Sequence, residues 1–158
     1  MDKKRGAEIP DIADTLVKSE EIDILELDEI WSFVGNKHNK QWLWLSLCRR
    51  TRQIVAFFIG DRSEISCQEL KNNIPDDYKV CESFSDLWES YEKVFDKTKH
   101  KSVDKKFGET AHIERFNNTI RQRLARYVRK TLSFSKSQYF HYIVTKQFIV
   151  NYNLSVTS

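Results

Sequence analysis

Glycine and proline are scarce in this chain, with 4 Gly and 2 Pro among 158 residues. That scarcity excludes a collagen-like or Gly/Pro-rich low-complexity chain. Cysteine is sparse as well: Cys48, Cys67 and Cys81 are an odd number at irregular spacing. No pair has zinc-ligand spacing and no histidine lies at a matching offset, so free, mostly buried thiols are expected. Long hydrophobic runs are missing. The longest, such as Ile54–Ile59, fall far short of the roughly 18 residues of a membrane span. No apolar signal core follows Met1–Arg5, so a cytoplasmic protein without membrane partners is expected.

What is present is enough for a core. Hydrophobic residues make up 40% and aromatics 13%, which suits one ordinary domain. The net charge is only +3, but it is unevenly spread. Residues 1–30 hold ten acids against Lys3, Lys4, Arg5 and Lys18. From His112 to Lys136 there are seven basic residues and a single acid, Glu114. Such a segment favours a polyanion such as nucleic acid. A lone carboxylate there would be repelled by phosphates unless a cation stood between them, and a divalent metal is the obvious one. The plain alternative is a Glu114 paired with neighbouring arginines on a solvated face.

The pattern along the chain predicts an acidic leader or linker over 1–20, a domain over 21–153 and a tail over 154–158. Three strands rich in β-branched and aromatic residues follow one another at 21–35, 41–48 and 53–60. Their short polar connectors imply an antiparallel meander, and their apolar content implies a sheet covered on both faces. A helix is expected at 63–72 with Ile65 and Leu70 facing in, a strand at 78–84, a helix at 87–95 and a weak strand near 99–104. Two C-terminal helices complete the order, a basic one near 110–130 and an amphipathic one near 135–152. This is the order of the RNase H-like fold: a mixed five-stranded α/β sheet, three antiparallel strands first, with flanking helices.

Three acids stand at privileged points in this order. Asp28 lies inside an apolar strand, where a carboxylate is costly unless paired or bound to a cation. Asp86 closes the fourth strand, although its spacing to Glu89 also suits a helix cap. In the basic helix, Ile113, Phe116, Ile120, Leu124, Tyr127 and Val128 form the packed stripe, while Glu114, Asn118 and Arg121 share another face. Glu29 should point away from Asp28 along the strand, and Glu109 is a weaker rival to Glu114. His112 is read as a cap or a neighbour of the metals. His38, His100 and His141 are read as structural or solvated, and Trp42 and Trp44 as core.

The segments Leu27–Gly35, Gln41–Leu45, Phe84–Tyr91 and His112–Asn118, continued by Arg121–Arg126 and Arg129–Ser137, resemble the catalytic half of insertion-sequence-one transposases. The resemblance runs from about Asp23 to Asn153, with the segments in the same order. It implies an RNase H-like DDE recombinase in which Asp28, Asp86 and Glu114 hold two Mg2+ or Mn2+ ions. It also implies a DNA substrate, both element ends and target, cut and joined by a homo-oligomer. Arg115, Asn118, Arg121, Arg123, Arg126, Arg129, Lys130 and Lys136 are the expected DNA contacts. Such transposases usually carry an N-terminal zinc-binding and helix-turn-helix region, so an upstream reader, fused or associated, is expected here. Leu87 departs from the small or polar residue expected after the second acid. The competing reading is an inactive DNA-binding fragment that modulates an intact transposase. A weaker third is another RNase H-like nuclease, such as a resolvase.

Overall fold

The computed structural model describes residues 9–36, 38–124 and 137–157. Strands β1 (Ile24–Phe33), β2 (Lys40–Cys48), β3 (Ile54–Gly60), β4 (Glu82–Ser85) and β5 (His100–Ser102) form one sheet in the order β3-β2-β1-β4-β5. The first three pair antiparallel, and β4 and β5 add in parallel beside β1. The helices are α1 (Glu64–Asn73), α2 (Glu89–Val94), α3 (Ala111–Arg123) and α4 (Gln138–Val156). This is the RNase H-like arrangement expected from the element order.

Side-chain alternation along β1 divides the molecule. Leu25 and Leu27 pack with Trp44, Val55, Cys67, Leu70 and Tyr91 on the α1/α2 side. Ile30 packs with Leu43, Leu45, Ile113, Phe116, Ile120 and Ile149 on the α3/α4 side. Both faces are therefore covered, and each fully buried Leu, Ile or Phe contributes about 1.5–3 kcal/mol by leaving water. Cys48, Cys67 and Cys81 are free and buried, as expected. Trp44 is fully buried and donates its indole N–H to the Asp61 carbonyl at 2.8 Å.

Several boundaries differ from the sequence reading. Ile65 is 76% exposed, because Cys67, Leu70 and Ile74 supply the inward stripe of α1. The fourth strand begins at Glu82 rather than Tyr78, because Pro75–Cys81 winds into successive turns (Tyr78 N–H to Pro75 O at 2.9 Å, Cys81 N–H to Tyr78 O at 3.2 Å). Helix α3 stops at Arg123, with Leu124 extended (φ −117°, ψ 109°). The helix expected over about 110–130 is interrupted at that residue, and its remainder falls in 125–136, outside the described residues. Helix α4 runs on to Val156.

Within the segment read as a leader, a 3-10 turn at Ile12–Thr15 sits against the domain. Gln53 donates to the Thr15 carbonyl (2.7 Å) and accepts the Val17 N–H (2.8 Å), while Asn153 of α4 donates to Thr15 Oγ1 (3.0 Å).

Candidate active site

Glu26, Asp28 and Ser32 share the face of β1 that carries Ile30, and they form a polar row toward α3 and α4. Glu26 is fully buried, and its Oε1 accepts the backbone N–H groups of His112 (2.9 Å) and Ile113 (3.1 Å). The first turn of α3 leaves N–H groups unpaired, and its own N-cap, Thr110, makes no side-chain bond to it. Glu26 supplies the missing cap from the sheet. Its Oε2 meets His112 Nδ1 at 2.7 Å and Arg49 Nε at 2.9 Å. Two residues on, Asp28 Oδ2 accepts from Asn117 Nδ2 at 2.8 Å. At the far end Ser32 Oγ meets His141 Nε2 of α4 at 3.0 Å. Strand and helix are thus held in register at two points, and Glu114 stands between them.

The carboxyl end of β4 lies beside this row. Its pairing with β1 covers only Ile24↔Glu82 to Glu26↔Phe84, so β1 continues past Glu26 with no partner strand on that side. Asp86 follows the last residue of β4, and its Oδ1 accepts the Trp88 N–H at 3.1 Å. The cap reading for Asp86 is corrected in detail: Trp88 holds the N-cap position of α2, and Asp86 closes the turn before it.

In the gap, Asp28, Glu29 and Asp86 each present a carboxylate oxygen within 4.8 Å of the others. Glu29 was expected to point away. Alternation fixes the Cβ directions, but the unpaired edge lets carboxylates from both faces meet. Asp28 folds back so that its Oδ1 accepts the Glu29 N–H at 2.9 Å. Glu29 is held from the other face by the Tyr91 hydroxyl (2.7 Å) and by Arg62 through Nε (3.0 Å) and a terminal nitrogen (2.7 Å). Arg62 itself lies over the rings of Trp42 (4.6 Å) and Trp88 (3.9 Å), an arrangement that favours a guanidinium.

Glu114 is not part of that trio. Its Oε1 lies 3.5 Å from Lys105 Nζ. It nevertheless lines the same cleft, about 520 Å3, with Asp28, Glu29, Asp86, Lys105, Asn117, Asn118, Arg121, Trp31 and Trp42. A larger cleft of about 590 Å3 between the 3-10 turn, β3 and α4 includes Asp11 and Lys146 but none of these acids.

Charge crowding shapes the site. Burial, with the neighbouring Glu29 charge added, pushes the Asp28 carboxyl up to about 7, against the pull of Lys105. Burial also raises Glu29, while Tyr91 and Arg62 hold it back. For Lys105, burial acts downward, but attraction to Asp28, Asp86 and Glu114 outweighs it and leaves the ammonium above its ordinary value. Asn117 is 3% exposed, and its Oδ1 is buried without a hydrogen-bond partner. A buried amide oxygen left unpaired beside carboxylates is costly, and a hard cation is the partner that this donor set suits.

Among the other expected residues, Arg115, Asn118 and Arg123 are exposed on α3, and Arg121 is half-buried. Asn118 and Arg121 line the cleft, whereas Arg115 and Arg123 do not. Arg126, Arg129, Lys130 and Lys136 lie outside the described residues. The rival acid Glu109 pairs with Arg49 at 3.1 Å, away from the cleft. His112 serves Glu26, and His100 is buried between Ser83 Oγ (2.7 Å) and Ser85 Oγ (2.9 Å).

Residues 22–154 match the family model described as IS1 transposase. The chain belongs to the IS1 transposase family. It is 40% identical over 126 residues to the insertion element iso-IS1n protein InsB of Shigella dysenteriae, covering 80% of this chain and 93% of that one. It is 37% identical over 116 residues to the insertion element IS1 protein InsB of Shigella flexneri, covering 73% and 86%. An Escherichia coli relative, the insertion element IS1 4 protein InsB, is 36% identical over 123 residues, covering 78% and 71%. Transposases act on DNA, which accords with the basic C-terminal third. Among the described residues no helix is long and apolar enough to cross a membrane.

Glu26, Glu29, Arg62, Lys105 and Asn117 were not singled out for the site from the sequence. Two of them carried a signal. Glu26 has the same strand parity as Asp28, and Asn117 is a polar residue four after Ile113 in the packed face of α3. Lys105 carried none, because its approach depends on a turn between β5 and α3.

Proposed function

We propose that this chain performs divalent-metal-dependent DNA strand cleavage and strand transfer, with Asp28, Asp86 and Glu114 as the three acids of a DDE site. The observation that supports this best is their convergence. Asp28 and Asp86 come from adjacent parallel strands and meet where the pairing ends, and Glu114 reaches the same cleft from a helix clamped to β1. A cleft at the carboxyl ends of parallel strands is the usual place for a ligand in such sheets.

Asp28, Asp86 and Glu114 would hold the Mg2+ or Mn2+, two ions in the general scheme, with Asn117 Oδ1 as a neutral oxygen donor. Bound there, such ions would make water or a 3′-hydroxyl a better nucleophile and neutralise charge on the phosphate during in-line displacement. The protein's part is positioning. Asn117 fixes the Asp28 carboxylate through Nδ2, Glu26 fixes α3, and Arg62 keeps Glu29 in place. Asn118 and Arg121, which line the cleft, would hold the DNA backbone at the scissile phosphate. Arg115 and Arg123 would bind phosphates further along the duplex, joined by Arg126, Arg129, Lys130 and Lys136. An upstream helix-turn-helix region, fused or associated, would read the element ends, and a homo-oligomer acting on DNA in the cytoplasm would pair them.

The test is Mg2+-dependent joining of element-end DNA by the chain supplied with such a reader. Glu114→Gln and Asp28→Asn should each abolish joining while circular dichroism shows an unchanged fold. Full joining by either variant overturns the reading. DNA binding without joining by any form, indifferent to Mg2+ and to Asp28→Asn, would establish the binding-only alternative.

A further inference from the structure

Three basic side chains line the acidic cleft. Arg62 is committed to Glu29 by two contacts and enclosed by two indoles. Arg121 belongs to α3, the helix that also carries Glu114. Lys105 differs from both. It reaches in from a single 3-10 turn, Lys105–Phe107, started by Asp104, whose Oδ1 accepts the Lys106 N–H (3.0 Å), and ended by Gly108 at φ 76°. Its side chain is 56% exposed, and its nearest acid contact, Glu114, is long at 3.5 Å. It also lines a second hollow of about 310 Å3 beside the cleft, with Arg62, Asp86, Leu87, Trp88 and Asp104.

We propose that Lys105 is a displaceable counter-ion that occupies the charge position of the metal between Asp28, Asp86 and Glu114 until metal and DNA arrive. This rests on the metal-site reading above. One monovalent ammonium on a flexible four-carbon stem faces three carboxylates. It lessens their repulsion but leaves Asn117 Oδ1 without a hydrogen-bond partner and imposes no fixed geometry. A divalent ion competes for the same oxygens. Lys105, once released, has the neighbouring hollow beside it, where a DNA phosphate is its natural partner. A phosphate that draws Lys105 off the acids therefore strengthens metal binding, and metal strengthens DNA binding by the same factor. The site would stay poorly loaded until DNA is present.

The experiment is Mn2+ titration of the whole chain without DNA, followed by the electron paramagnetic resonance of free Mn2+, together with thermal melting in chelator. Lys105→Met should bind Mn2+ about fivefold more tightly, the scale of one partly exposed ion pair, and should melt a few degrees lower without metal. Lys106→Met, a neighbouring charge outside the cleft, should change neither. Adding a plain duplex should tighten Mn2+ binding in the wild type and do so by about fivefold less in Lys105→Met. Equal affinities for wild type and Lys105→Met, or equal gains in Lys105→Met and Lys106→Met, overturn the role of Lys105 alone. Mn2+ binding that survives Asp28→Asn unchanged overturns the metal site and this inference with it.

Discussion

Replacing Asp28 by asparagine should stabilise the metal-free protein while removing its response to metal. Asp28 is 5% exposed, and its carboxyl is raised from 3.8 to about 7, first by burial and then by Glu29. That difference corresponds to on the order of 4 kcal/mol held against the charged form. The gain on neutralisation is partly offset, because the carboxylate accepts the Glu29 N–H and Asn117 Nδ2. An introduced amide keeps one of those bonds, and Asn117 can flip to offer its unpaired Oδ1 to the new NH2 group. Losing one charge-assisted bond costs about 1–2 kcal/mol, which leaves a net gain of about 2–3 kcal/mol. For a domain of this size that is a rise in Tm of roughly 4–12 °C. The native state binds more protons than the unfolded chain between about pH 4 and 7, so this penalty grows with pH across that window and is complete above it. Wild type and Asp28→Asn should therefore melt together near pH 4 in chelator and diverge by pH 8, with the variant higher. Saturating Mg2+ should raise the wild type by about 3 kcal/mol at a hundred times Kd and leave the variant unmoved. A variant less stable than wild type at pH 8 in chelator, or a gap independent of pH, would refute the reasoning.

Three further predictions follow from the same contacts. Glu26→Gln should lose about 2–4 kcal/mol in urea denaturation, because it leaves half-buried Arg49 and His112 and the first N–H groups of α3 facing a neutral amide; a loss under 1 kcal/mol would deny its capping role. Burial lowers the His100 ring to about 4, so its NMR signals should show no titration above about pH 5; since the unfolded ring takes up a proton first, this residue's contribution to stability should rise with pH between about 4 and 6.5. Arg115→Ala combined with Arg123→Ala should flatten the slope of log affinity for duplex DNA against log salt by about 0.9 for each phosphate contact removed, whereas an unchanged slope would place the DNA elsewhere.

The strands were legible because their β-branched and aromatic runs need no tertiary information, and short polar connectors then fixed the antiparallel order. Where the reading failed, long-range contacts decided the outcome. Ile65 looked inward by composition, but the packing stripe of α1 was set by Cys67 and Leu70, which meet the sheet. The basic helix looked continuous to residue 130, yet its backbone turns extended at Leu124. Asp28, Asp86 and Glu114 were each visible as acids in improbable surroundings. Glu29 was set aside on strand parity, a rule that places Cβ atoms and not the ends of long side chains at an unpaired edge. Lys105 was beyond reach, since what matters is where a three-residue turn sets it down.

The shortness of β4 is what makes the cleft possible. Had the strand run further, as its apolar neighbours suggest at its other end, it would have paired with β1 beyond Glu26 and closed the gap where Asp28 and Glu29 now meet. Instead Asp86 ends it by taking the Trp88 N–H, and the chain turns away into α2. The same side chain that stops the strand thus becomes one wall of the gap it opens. The register of α3 against β1 then decides what faces that gap. With Glu26 holding the N–H groups of His112 and Ile113, and Asp28 holding Asn117, one turn of helix is fixed between two strand residues of the same face. Glu114 and Asn118 then fall on the side of the helix that lines the cleft. A one-residue slip of α3 would bring Ile113 or Arg115 to the place of Glu114, so the two clamps decide which side chain α3 presents to the cleft.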